Sequence, residues 1–248
     1  MKRFAPIALP MALSVVLALA ILLIPQGAVA QSLNLDLGDG PSSTGRLIQL
    51  FLLFTVLSLA PSILVMVTCF TRIVVVLSFL RTALGTQQTP PNQVLMSLAL
   101  FLTLFIMMPT LQESWDQGIQ PYIVGQIDET QAFERSAAPL RVFMLKHVRD
   151  TDLQLFADAA KVDTTATEVP LRVLIPAFMI SELRRSFEIG FLVFIPFLVI
   201  DMVVASVLMS MGMMMLPPVM IAMPFKIIFF VLVDGWFLIV GSLIQSFG

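Results

Sequence analysis

The chain has almost none of the side chains that carry catalysis. Its 248 residues include one cysteine, Cys69, and one histidine, His147. A single cysteine excludes an internal disulfide and a thiolate metal cluster. A single histidine has no second imidazole with which to hold a metal or share a base role. Cys69 falls in an apolar run and His147 in a polar stretch, so they are not read as a nucleophile and its base. The G-x-x-x-x-G-K-[ST] phosphate loop, H-E-x-x-H and G-x-S-x-G are all missing. The reading is therefore not an enzyme, with no cofactor and no metal. Charge is also scarce, at 12% of residues against about 25% in soluble domains. A net charge of -2 argues for no nucleic-acid partner. Hydrocarbon is what abounds, at 58% of residues, which places the chain in the membrane class.

The N-terminus reads as a secretory signal over residues 1–30. Lys2 and Arg3 precede an apolar stretch, Pro25 breaks it, and Ala28, Val29 and Ala30 fit a small-residue cleavage site. An uncleaved anchor is the alternative, since the apolar stretch is long. Residues 31–46 are a polar leader. Residues 47–109 read as a first helical hairpin. Its first run continues to residue 80 with a kink at Pro61, and Arg72 and Arg81 mark the connection as cytoplasmic. Its second run starts at Val94 and stops at Pro109.

Residues 110–172 are too polar to span and too few for an enzyme domain with its own cleft. They read as a small helical domain outside the cytoplasm. Leu140, Phe143, Met144, His147 and Val148 share one helical face. Asp150 or Thr151 is the expected cap of a following helix with Leu153, Phe156 and Ala160 on its apolar side. Those faces pack either on a neighbouring subunit or on the chain's own helices.

Residues 173–248 contain charges that sit badly in lipid. A carboxylate facing acyl chains costs roughly 2.5–3.5 kcal/mol. Glu182 and Arg185 are three apart and Arg184 and Glu188 four apart, so local pairing is expected. Asp201 lies inside the run 189–208, Lys226 at the entry to the last run, and Asp234 inside that run. Pro176, Pro196, Pro217, Pro218 and Pro224 break the backbone hydrogen bonding lipid demands. These helices are expected to bury their polar groups against protein. Partnered structural charges are one reading of Asp201 and Asp234, and a proton relay is the other.

Between the runs lies MSMGMMMLPP, residues 209–218. Methionine is unbranched and polarizable, so such a cluster re-packs against different surfaces. Gly212 admits backbone angles other residues resist, and Pro217 and Pro218 are expected to end the upstream helix. The stretch is either a deformable collar at a hairpin tip or the filling of a buried turn.

Several blocks then agree in order: FMLKHVRDTDLQLF at 143–156, ELRRSFEIGF at 182–191, FIPFLVID at 194–201, GMMMLPP at 212–218, PFK at 224–226 and VDGW at 233–236. Together they resemble the FliP family of type III export-gate proteins, from about residue 47 to the C-terminus. The resemblance implies an all-α fold of membrane-associated helical hairpins that assemble into a staggered ring, with a small helical extracytoplasmic domain. It implies a homo-oligomer, a pentamer, joined by FliQ and FliR and working with FlhA and FlhB. The cargo is unfolded flagellar protein, and the location is the bacterial inner membrane and flagellar basal body, with a periplasm-facing portion. Met213, Met214 and Met215 match the family's methionine gasket, with Met209 and Met211 beside it. Glu182 and Lys226 match charged positions at subunit contacts. Phe143, Phe156 and Asp201 match further family positions. A virulence-injectisome subunit, a stand-alone channel or transporter, and a scaffold without a conduit stay open as alternatives.

Overall fold

The computed structural model describes residues 41–86, 88–162, 169–213 and 217–248. The expected signal, residues 31–40 of the leader, and Met214 and Met215 lie outside the described residues. Residues up to Thr55 form one unit and Val56–Gly248 a second. Every described element is a helix, and there is no strand among the described residues.

Helix α1 spans Pro41–Val67, with Pro61 inside it, and α2 spans Phe70–Ala83. The sequence pattern expects one kinked run here. The chain breaks instead at Thr68 and Cys69, because hydroxyls take over the freed carbonyls. Thr68 Oγ1 donates to Leu64 O (2.6 Å) and Thr71 Oγ1 to Val65 O (2.9 Å). Helix α2 is the central element. Its Ile73, Val76 and Leu77 are fully buried and join residues of five other helices in one core.

Helix α3, Asn92–Ser114, runs through Pro109 rather than ending there. It continues through a π-helical turn, Trp115–Ile119, into α4, Gln120–Ile123. Pro109 sits on the outward side, and neighbouring buried contacts such as Met107 hold the helix past the lost hydrogen bond. Gly118 in that turn lies against the next helix. A Cβ there would meet Ser136 Oγ at 2.0 Å, Ser136 N at 2.6 Å and Ala132 O at 2.7 Å. Backbone atoms cannot rotate away, so Gly118→Ala is expected to cost about 2 kcal/mol through overpacking. Thermal unfolding in detergent checks this, with Gly241→Ala as the comparison, since nothing lies within 4 Å of that position. Gly241→Ala should leave the midpoint in place.

Helix α5, Glu129–His147, opens on Asp128, whose Oδ1 accepts from Gln131 N (2.7 Å). Phe143, Met144 and His147 are buried along the face that the 3.6-residue spacing marks. Helix α6 is Asp150–Ala160. Neither Asp150 nor Thr151 caps it. The N-cap is Arg149, whose N–H donates to Ser181 Oγ (3.1 Å). A hydroxyl from thirty-two residues away replaces the local cap, and Asp150 and Asp152 instead favour the positive end of the helix dipole. Leu153 and Phe156 pack on the core, but Ala157 is buried where Ala160 was expected. The partner of α5 and α6 is therefore the chain's own helices.

Helix α7 spans Leu171–Ser210, with Pro176 and Pro196 both inside. Its 40 residues extend about 60 Å, twice a hydrocarbon core of about 30 Å. Pro217 and Pro218 do not end it. Gly212, at φ +74°, does. Met213 N–H reaches Leu208 O (3.0 Å) and Gly212 N–H reaches Met209 O (3.1 Å), the two bonds of a Schellman cap. Pro218 instead begins α8, Pro218–Leu232, where a missing N–H is harmless. Helix α9, Gly235–Gln245, leaves α8 at 64°, so the expected last run is two helices. Stretches in α1, in α3 with α4, and in α7 are long and apolar enough to cross a membrane. The bent pair of α8 and α9 makes a fourth if counted as one span.

Candidate functional site

The methionine tip and the charges beneath it form the site. Met209, Met211 and Met213 are 57%, 65% and 45% exposed at the open end of α7. These three do not fill a buried turn. The Schellman cap holds Met213 just past Gly212 and turns the chain out of the α7 axis.

Lys226 and Asp201 brace the hairpin below the tip. Lys226, on α8, is buried. Its Nζ donates to Asp201 Oδ2 on α7 (2.6 Å) and to Ala83 O at the end of α2 (3.1 Å). One ammonium thus joins three helices and meets the negative end of the α2 dipole. Asp201 is a partnered charge. Asp234 is exposed at the corner between α8 and α9, in the left-handed conformation at φ +52°. It caps nothing with its side chain.

Glu182 is fully buried on α7 and faces Arg72 on α2. Arg72 Nε donates to Glu182 Oε2 (2.8 Å) and Nη2 donates to Oε1. This two-pronged geometry is what a planar guanidinium offers a carboxylate. The local pairing of Glu182 with Arg185 is not what forms. An exposed pair at that spacing contributes only a few tenths of a kcal/mol, whereas a buried carboxylate requires a buried cation. The exposed pair of Arg184 and Glu188 does form (2.9 Å). Glu182 and Lys226 do not pair with each other in this single chain, because each has a nearer partner of opposite charge.

Arg72 has further contacts. Nη1 donates to Ser246 O (3.1 Å) and to Ser246 Oγ (3.0 Å), and Cζ lies 3.7 Å from the Phe247 ring centroid. Phe143 is buried among His147, Phe178 and Phe247, with centroids 4.6, 6.0 and 6.2 Å away. Phe156 is half-buried against the same core. Nothing in the sequence pattern singles out Ser246 or Phe247, and Arg72 carries only a topological signal there. A lone arginine in an apolar run does signal a need for an acid, but nothing in the spacing says which one.

Fold and site together define an all-helical protein of membrane-length apolar helices in which the buried Arg72, Glu182 and Lys226 find partners within the chain. The model of the FliP family matches residues 53–243. The flagellar biosynthetic protein FliP of Caulobacter vibrioides is 60% identical over 238 residues, which cover 95% of this chain and 90% of that protein. The FliP of Bacillus subtilis is 56% identical over 217 residues, 87% of this chain and 98% of its own length. That of Aquifex aeolicus is 49% identical over 235 residues, 93% and 98% respectively. The chain belongs to the FliP family.

Proposed function

We propose that the chain is a core subunit of the flagellar type III protein export gate. In this reading it forms a staggered ring, a pentamer, joined by FliQ and FliR and served by FlhA and FlhB. The ring passes unfolded flagellar proteins out of the cytoplasm. It resides in the inner membrane at the flagellar basal body, with residues 110–172 as its periplasm-facing domain. Met213, Met214 and Met215, flanked by Met209 and Met211, seal the passage. Glu182 and Lys226 act at subunit contacts indirectly, by holding α7 and α8 in the shape that packs.

One observation carries the reading. The tip between α7 and α8 presents exposed thioethers at Met209, Met211 and Met213, while Glu182, Asp201 and Lys226 of the same hairpin turn inward. Large apolar side chains cover the outside of that hairpin: Phe187, Phe191 and Met202 on α7, and Met220, Phe225 and Val231 on α8. Such a surface fits other helices or lipid, and α7 is too long to be a simple span. A ring of thioethers is apolar enough to exclude ions by dewetting and soft enough to fit many sequences. Leucine or isoleucine would fit one shape and reject others.

Replacing Met213, Met214 and Met215 together with alanine is expected to leak small ions while the complex still assembles. Conductance across cells lacking cargo, with recovery of the assembled complex as the control, measures it. An unchanged leak in an intact complex ends the gasket reading. Conduction by the purified chain alone would favour a self-sufficient channel instead.

A further inference from the structure

Beyond the gate reading, the geometry at the end of α9 points to a second working part. We propose that residues 243–247 form a releasable latch, closed on Arg72 while His147 is neutral and opened when His147 takes up a proton.

The last arm of the chain, α8 and α9, is anchored most deeply at two points, with half-buried Ile239 and Val240 packed between them. Lys226 and Phe230 anchor α8 on α2 and α7. Leu243 and Phe247 anchor the far end in the main core, whereas Phe237 and Leu238 are 72% and 56% exposed. The corner between the helices is Asp234, a non-glycine residue in the left-handed region, which suits a hinge. The far anchor gathers around the Phe247 ring. The Arg72 guanidinium lies over the Phe247 ring, and the His147 ring packs against the same ring at 5.3 Å. Arg72 also grips Ser246 through its carbonyl and hydroxyl.

His147 is 4% exposed. Its Nδ1 donates to Phe143 O (2.8 Å), so in the neutral ring a further proton goes to Nε2. The charges around it are unwelcoming to a cation. Arg72 comes from α2, Arg185 from α7 and Lys146 from its own helix. Glu182 on α7 is committed to Arg72. At the start of α6, Arg149 and Asp152 face each other (3.9 Å). Residues 243–247 bring no charged side chain. Burial, more than these cations, holds the imidazole below its ordinary value of 6.5. The closed form is therefore fully favoured above 6.5 and loses ground as pH falls from there through the depressed value. Protonation places a second cation against Phe247, which already carries Arg72, while Glu182 stays committed to Arg72. Withdrawing the 243–247 segment lets water reach the imidazolium, and α9 then swings about Asp234 while Lys226 keeps α8 in place.

The test measures whether the buried end becomes reachable. The full-length chain in detergent, with Cys69→Ala, carries either Leu243→Cys, buried in the latch, or Gln245→Cys, exposed beside it. The ratio of their maleimide labelling rates cancels the reagent's own pH dependence. Leu243→Cys is expected to label about tenfold slower near pH 7.5, with the ratio rising about fivefold near pH 5.5. The rise should vanish with His147→Asn, which keeps a donor for Phe143 O, and with His147→Phe, which keeps the ring. Arg72→Met with Glu182→Gln should label fast at both pH values. A native ratio that stays flat, or rises equally in the His147 variants, overturns the proton trigger. An unchanged rate in the Arg72 and Glu182 double variant overturns the latch itself.

Discussion

Glu182→Ala is expected to destabilise the single chain by about 3–5 kcal/mol, because it leaves Arg72 buried and unpaired. The family resemblance, which puts Glu182 at a subunit contact, suggests the opposite emphasis, a loss of ring assembly with the monomer spared. The geometry reverses that order. Arg72 has no water to turn to, at 1% exposure. Without Glu182 it keeps only Ser246 and the face of Phe247. Helices α2 and α7 then lose their ion pair at the centre of the core. Thermal unfolding of the purified chain in detergent measures the loss. Arg72→Met combined with Glu182→Leu should recover most of it, since a buried pair replaced by apolar side chains is often neutral or better. Ring yield from Glu182→Ala should fall in step with folded monomer. A normal unfolding midpoint with lost rings would return Glu182 to a direct role between subunits.

Lys226→Met is expected to cost about 3 kcal/mol, close behind. It removes the partner of Asp201 and the cation at the end of α2 together. Asp201→Asn should cost less, because Lys226 retains the Ala83 carbonyl and a neutral acceptor. Lys226→Met with Asp201→Leu separates the two effects. The pair's contribution should be recovered, leaving about 1 kcal/mol from the carbonyl that lost its donor. Unfolding midpoints of the three variants decide this. If the double variant is as unstable as Lys226→Met, the cap on α2 is the main function of the lysine. The same variants should disturb the methionine tip, since Lys226 registers α8 against α7 below it.

Helical periodicity was legible wherever a face is half buried. The residues 140, 143, 144, 147 and 148 could be placed on one side of α5 from spacing alone, and Phe143, Met144 and His147 are buried there. Gly212 was legible as a residue of unusual backbone freedom, but the helix end was expected at Pro217 and Pro218, and it is Gly212 that carries the Schellman cap. Prolines were misleading. Pro109, Pro176 and Pro196 all lie inside helices, because the cost of about 3 kcal/mol, from the lost hydrogen bond and the ring's clash together, is outweighed by packing on either side. The break that does occur, at Thr68 and Cys69, depends on hydroxyl geometry that no breaker residue announces.

Composition and spacing decide that the chain is helical and oily, since those properties belong to residues one at a time or to neighbours on one helix. They also say that charges such as Glu182, Asp201 and Lys226 beside apolar runs need partners. Which charge meets which was decided only when the helices packed. Arg72 finds Glu182 across 110 positions and Ser246 across 174. Local pattern has no term for contacts of that separation. Burial strengthens them by removing water, and burial exists only once distant segments have come together.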